Sequence, residues 1–185
     1  GTHSGVITHS ASGGGYTAVS IASVTATITD NDSAAVIVSA MSGTTTEAVG
    51  GQKTYTLALS SLPTANVVVT ITPDIQETVS PSTLYFGAAA TGDFSGSSAA
   101  NLRLWSNPAT VTVTAVDDAV AETSPHTGQI SHTSSSSDPN YNGIAIGQRS
   151  VQITDNDTAG VDFTAMSGSI AEGGATATYT VVPVS

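Results

Sequence analysis

The sequence predicts an all-β protein made of immunoglobulin-like antiparallel β-sandwich repeats, with about seven strands in each unit. Thr and Ser alternate with apolar residues along several short runs, whereas Lys, Glu, Leu and Met are scarce. This alternation is typical of strands with one buried face, and the scarce residues are those that fill helices. A third observation predicts the repeats, because the run ITDND at 28–32 recurs at 153–157, a step of 125 residues.

The repeat divides the chain into one complete unit and two partial ones. Other landmarks recur at nearly the same spacing: Ala40-Met41-Ser42-Gly43 at Ala165-Met166-Ser167-Gly168, Glu47 at Glu172, Tyr16 at Tyr141, and the pair His3 and His9 at His126 and His132. We therefore expect residues 1–32 to be the C-terminal part of a preceding repeat, 33–157 a complete repeat, and 158–185 the N-terminal part of the following one. The expected partners are neighbouring copies of the same repeat, in a homopolymer or a tandem array.

Seven runs within the complete unit show the alternation of a half-buried strand. They lie at 35–39, 53–60, 67–72, 83–86, 110–116, 127–133 and 150–154. Short strands separated by turns indicate two packed sheets rather than a closed barrel. Residues 87–104 interrupt the alternation with Gly, Ala and Ser, and they predict a long surface loop.

Composition excludes several classes of function. The net charge is −11, with 3 basic residues against 14 acidic ones, so neither nucleic acid nor an anionic membrane surface is an expected partner. No apolar run approaches the roughly 20 residues of a membrane helix, and we expect no membrane insertion. The sequence shows no nucleophile-and-base pattern, phosphate-binding loop or zinc motif, so we expect a protein that is not an enzyme.

Acidic residues follow three of the predicted strands. Glu47 comes after the first strand, Asp117, Asp118 and Glu122 after the run at 110–116, and Asp155 and Asp157 after the last strand. Antiparallel strands can bring these ends to one pole of a sandwich, where two carboxylates about 4 Å apart repel by roughly 4 kcal/mol. Such a cluster needs protons, separation or a cation, and calcium prefers oxygen ligands of this kind. The alternative is that these residues form Asx turns with their own backbone.

The chain resembles Calx-beta repeats, sandwich modules found in sodium/calcium exchangers and in large bacterial surface proteins. The residues that carry the resemblance span the whole unit: Val36-Ile37-Val38, Glu47, Gly50-Gly51, Tyr55-Thr56-Leu57, the run SPSTLYF at 80–86, Trp105, Pro108, the run TVTVTAVDD at 110–118, Glu122 and the run ITDND at 153–157. The insertion at 87–104 departs from the family pattern.

The resemblance implies a seven-stranded sandwich with calcium held by acidic residues at one end. It assigns the ligands to Glu47, Asp117, Asp118, Glu122, Asp155 and Asp157, with Asn156 in place of an acid found in the exchangers. Asp30 and Asp32 would serve the preceding repeat in the same way, and Glu172 the following one. Calcium is accordingly the expected cofactor.

Other residues have two interpretations. His126 and His132 are compatible with a zinc site or a proton switch, but we expect exposed strand histidines. Trp105 and the tyrosines could stack on sugars, but we expect core or edge residues. Asn31 and Asn156 each begin an N-glycosylation sequon, and the richness in Ser and Thr also suits O-linked glycans.

Together these features predict a non-catalytic structural repeat of an extracellular filament or a long cell-surface adhesin. The units would assemble head to tail, rigidified by calcium and by strands shared between units, with covalent glycans on the surface. The alternative is a calcium-sensing or carbohydrate-binding module of a larger secreted protein.

Overall fold

The computed structural model describes residues 1–48, 51–87, 102–174 and 176–184. Residues 88–101 of the predicted surface loop lie outside these ranges. Strands make up all of the regular secondary structure in the described residues, which confirms the all-β prediction. No helix within them is long and apolar enough to cross a membrane. The chain forms two compact units, Gly1–Ser33 and Ala34–Ser185.

The first unit contains one antiparallel strand pair. β1 (Thr2–Ile7) lies against β2 (Val24–Thr29), with His3 opposite Ile28 and Gly5 opposite Ala26. Apolar side chains on both strands are exposed, including Val6, Ile7 and Ile28.

The second unit contains a β-sandwich of two sheets. Its strands are β3 (Val36–Val38), β4 (Thr44–Thr46), β5 (Gln52–Leu59), β6 (Val67–Pro73), β7 (Glu77–Ser80), β8 (Thr83–Gly87), β9 (Leu102–Leu104), β10 (Ala109–Ala115), β11 (His126–Ser136) and β12 (Arg149–Thr154). One sheet has the order β3-β5-β10-β7, and the other β4-β12-β11-β6-β8-β9. The β4–β12 and β8–β9 pairs are parallel, and the other pairs in these two sheets are antiparallel.

The predicted alternation places the core between these sheets. Every second residue of the long strands points inward, and the buried apolar residues on these strands include Tyr55, Leu57, Leu59, Val67, Val69, Ile71, Val111, Val113, Ile130, Val151 and Ile153. Alternation did not predict β4, β7 and β9. These strands have only three or four residues each, and β4 and β7 are mostly polar. Trp105 is partly buried against the same core.

The histidines of β11 differ from the expectation of exposed side chains. His132 is buried, its Nε2 lies 2.9 Å from the Tyr55 hydroxyl, and its Nδ1 lies 3.0 Å from the Gly147 carbonyl oxygen. Both histidines are an even number of residues from buried Ile130, so they share its inward face. The expectation was wrong because it ignored this parity.

A last strand pair follows the sandwich. β13 (Gly160–Phe163) is antiparallel to β14 (Val181–Val184), and the side chains of both strands are exposed. Val161 lies opposite Pro183, as Val36 of β3 lies opposite Leu59 of β5. The first unit also repeats a register of the sandwich. His3 lies opposite Ile28, and the corresponding residues His126 of β11 and Ile153 of β12 also lie opposite each other.

Candidate functional site

Three elements bring the predicted acidic residues together at one pole of the sandwich. β4 runs parallel to β12, with Thr46 opposite Thr154, so the chain leaves both strands at the same end. The Glu47 backbone N–H donates to the Thr154 carbonyl oxygen over 3.1 Å. β11 begins at His126, which lies opposite Ile153, two residues before Asp155. The parallel β4–β12 pair therefore places Glu47 beside the ITDND turn.

Glu47 is the most enclosed acid at this pole. Its side chain is 1% exposed, and both carboxylate oxygens are buried without a hydrogen-bond donor. Burial, followed by the negative charge of Asp155, raises the pKa of Glu47 to about 7. A carboxylate in this position is costly unless a proton or a cation accompanies it.

His126 is a member of the cluster that the sequence did not assign to the site. Its Nε2 lies 3.4 Å from Oε1 of Glu47, and its Nδ1 lies 3.2 Å from Oε2 of Glu122. These distances are short enough for ion pairs. Both ring nitrogens are nevertheless buried without a hydrogen-bond partner. A protonated His126 would offset part of the acidic charge. The signal in the sequence was its recurrence with His3, which was interpreted as an exposed strand pattern.

Asp155 and Asp157 line the turn after β12. Asp155 accepts the backbone N–H groups of Asp157 at 2.8 Å and of Glu122 at 2.7 Å. The hydrogen bond from Asp157, followed by that from Glu122, lowers the pKa of Asp155 despite partial burial. Burial, followed by the charge of Asp155, raises the pKa of Asp157. One carboxylate oxygen of Asp157 is buried without a donor, so it is available to a cation.

The remaining predicted ligands of this repeat lie around these residues. Oε1 of Glu122 accepts a hydrogen bond from Nε2 of Gln76 at 2.8 Å, which orients its other oxygen toward His126. Asp118 accepts the N–H of Val120 at 2.8 Å and so forms an Asx turn. Nδ2 of Asn156 donates to Asp117 over 3.3 Å. This hydrogen bond uses the nitrogen that an N-linked glycan would occupy.

Two groups of side chains have the convergence that a metal ion needs. Glu47, Asp155 and Asp157 form one group, and Glu47, Glu122 and His126 form the other; within each group the potential ligand atoms lie within 4.8 Å of one another. The first group offers oxygen only, which suits calcium, whereas the second includes an imidazole nitrogen. Together with the unpartnered oxygens of Glu47 and Asp157, the first group fits a hard divalent cation.

The predicted ligands of the neighbouring repeats lie in the terminal segments. Asp30 and Asp32 belong to the first unit, where the Asp32 backbone N–H donates to Asp30 over 3.0 Å. Glu172 follows β13 and is exposed. Neither terminal segment forms a converging group of ligands within the described ranges. Glu172 thus differs from its buried counterpart Glu47.

No protein-family model and no curated protein matches this chain. The resemblance to Calx-beta repeats therefore stays a prediction from the sequence.

Proposed function

We propose that this protein is a non-catalytic structural repeat module of an extracellular filament or a long surface adhesin, with units joined head to tail. The observation that carries the proposal is the repetition of strand register outside the complete sandwich. β1–β2 pair in the register of β11–β12, and β13–β14 pair in the register of β3–β5. Elements of a sandwich thus precede and follow a complete one, as in a repeat array.

Calcium is proposed to rigidify the acidic pole at the end of each unit. The support is the all-oxygen group of Glu47, Asp155 and Asp157, together with the buried and unpartnered oxygens of Glu47. Such a cation would tie β4 to the turn after β12, the last residues before the next repeat begins. Asp117, Asp118, Glu122 and Asn156 would complete or orient the ligand set.

Three aromatic side chains of the complete sandwich favour a structural role over carbohydrate binding. Trp105 is partly buried, Tyr55 and Tyr141 are buried, and all three pack in or against the core. These three do not form an exposed stacking platform, and the exposed aromatics Tyr16, Phe163 and Tyr179 belong to the terminal segments. Glycans on this protein are proposed to be O-linked, because the amide of Asn156 is engaged with Asp117.

The calcium part is tested by thermal unfolding of the 185-residue chain in calcium and in chelator. Calcium at 100 times its dissociation constant is expected to add about 2.7 kcal/mol of stability. Glu47→Gln should abolish most of this gain, whereas the matched variant Glu172→Gln, altered at the exposed equivalent, should retain it. Equal melting temperatures of the unaltered chain in calcium and chelator would contradict the calcium proposal.

The structural role is tested by electron microscopy of the native material. Regular filaments with an axial repeat of one or two sandwich lengths are expected. Compact monomers that change shape with calcium would instead support the calcium sensor, and quenching of Trp105 fluorescence by sugars would support the carbohydrate-binding module.

A further inference from the structure

The terminal strand pairs expose the faces that their equivalents bury inside the complete sandwich. Ile28 of β2 is 44% exposed, whereas its equivalent Ile153 in β12 is fully buried. Tyr179 and Val181 are 60% and 53% exposed, whereas their equivalents Tyr55 and Leu57 are 2% and 0% exposed. Exposed apolar faces of this kind mark interaction surfaces.

The complete sandwich shows how the two kinds of face fit each other. β3 and β5 lie in one sheet and β11 and β12 in the other, and the Tyr55 ring meets the His132 ring edge to face at 5.6 Å. Arg149 at the start of β12 donates to the carbonyl oxygens of Val38 and Ser39 at the end of β3. The chain therefore contains its own template for packing a β1–β2 pair on a β13–β14 pair.

A groove beside β13 and β14 is the space that this packing would fill. It has a volume of about 540 Å³ and is lined by Phe163, Thr164, Ala165, Met166, Tyr179 and Val181. In the template, the equivalents of Phe163, Met166, Tyr179 and Val181 are buried or packed against the core, and these are Val38, Met41, Tyr55 and Leu57. The template places His132 against Tyr55, and the equivalent residues are His9 and Tyr179.

A missing strand supplies an independent argument. β4 is an edge strand whose neighbour in the sheet is β12, with Thr45 opposite Ile153. The equivalent residues 169–171 form no strand, and the equivalent of β12, namely β2, belongs to a sheet of only two strands. A free edge and a free segment of matching register are the two halves of a strand-addition contact. In this register Ile170 would lie opposite Ile28.

Charge also matches across the two surfaces. In the template, His126 lies 3.4 Å from Glu47. The equivalent residues are His3 in the first unit and Glu172 after β13, so a basic group of one surface would meet an acidic group of the other.

We propose that the β1–β2 pair of one copy docks on residues 160–184 of a second copy, in the register that β11–β12 adopts against β3, β4 and β5. Residues 169–171 become a strand along the free edge of β2, and the exposed faces of both pairs become one core. In this assembly the two segments contribute five strands in two layers. This inference rests on the proposed head-to-tail role and names the partner and the register of that junction.

Paired cysteines test the register, since the chain has no native cysteine. Ile28→Cys in one copy and Ile170→Cys in another should form an intermolecular disulfide on mixing in calcium buffer, because opposed strand residues lie within bridging distance. Ile28→Cys mixed with Ser169→Cys is the control, because the side chain of residue 169 points to the opposite face. We expect at least about tenfold more cross-linking for the in-register pair.

A second measurement uses analytical ultracentrifugation of the cysteine-free chain. Ile28→Lys should weaken self-association by at least about 100-fold, since it places an unpaired ammonium in the docked core. The matched variant Thr27→Lys should leave self-association unchanged, because its equivalent Gln152 is exposed. Unfolding curves of both variants check that the central sandwich is intact.

The inference is overturned if the in-register cysteines cross-link no better than the control, if they cross-link only within one chain, or if Ile28→Lys associates as the unaltered chain does. None of these results bears on calcium-dependent melting of the central sandwich, so the failure of the docking model is distinguishable from the failure of the proposed function.

Discussion

The complete sandwich and the two terminal strand pairs contain equivalent sequences in different surroundings. β11–β12 and β1–β2 share a register, as do β3–β5 and β13–β14. Only the pairs within the sandwich bury their apolar faces, because only there does a second sheet cover them. The comparison teaches that strand pairing is a local property of these sequences, whereas burial depends on a partner layer.

The largest expected effect comes from substitutions at two equivalent positions, one buried and one exposed. Leu57→Ala should destabilise the central sandwich by about 2–5 kcal/mol, because Leu57 is fully buried. Val181→Ala at the equivalent position should cost less than about 0.5 kcal/mol, because Val181 is largely exposed. Chemical denaturation at a concentration where the chain is monomeric measures both values. Equal losses would show that β14 is already buried in the monomer.

The next test uses equivalent glycines. A methyl group at Gly128 would overlap the carboxylate of Glu77, whereas at Gly5 the nearest atom is Cδ1 of Ile28 at 3.3 Å. We expect Gly128→Ala to lower the free energy of unfolding by about 3 kcal/mol, since the core must shift to accept it. Gly5→Ala should leave the melting temperature of the sandwich unchanged. An unaffected Gly128→Ala variant would refute the close contact between β7 and β11.

A third test concerns Glu77, which has no equivalent in either terminal pair. Its carboxyl is buried over Gly128 with both oxygens unpartnered, and burial, followed by the influence of the neighbouring Asp74, raises its pKa to about 8. The folded state therefore binds this proton more tightly than the unfolded state, so the contribution of Glu77 to stability is fully present below about pH 4.5 and is lost as the pH rises through about 8.

Glu77→Gln should remove about 2 kcal/mol of this decline, because the amide stays neutral across this pH range. Denaturation of both proteins between pH 4.5 and 8 measures the difference. Parallel stability profiles for the two proteins would contradict the assignment of the decline to Glu77.

The smallest expected effect distinguishes the two tyrosines. Tyr55→Phe removes the hydrogen bond to His132 and should cost about 1 kcal/mol. Tyr179→Phe, at the exposed equivalent, should be neutral in the monomer. Urea denaturation with matched samples resolves the difference, and a cost at Tyr179 as large as that at Tyr55 would indicate that His9 already contacts it.

The fold was largely predictable because its long strands alternate cleanly. The alternation at 53–60 predicts a half-buried strand, and Tyr55, Leu57 and Leu59 on one face of β5 are buried. The short strands escaped prediction, since three Thr residues of β4 carry no alternation and become a strand only by pairing with β12.

The candidate site was predictable only in part. The positions of Asp155 and Asp157 after the last strand were visible in the sequence, as was the Asx turn that Asp155 makes. The convergence of Glu47 on this turn required the parallel β4–β12 pair, a contact between segments about 110 residues apart. The inward direction of His126 followed from parity with Ile130, which sequence reasoning did not apply.

The sequence by itself determined the long strands, which follow from period-two alternation, and the strand pairs whose register recurs where the repeat recurs. Short strands such as β4 depend on a neighbouring strand. The tertiary structure alone decided which faces are buried and which acids meet. Equivalent strand pairs are core in one place and surface in another, since burial needs a second sheet that no local sequence encodes.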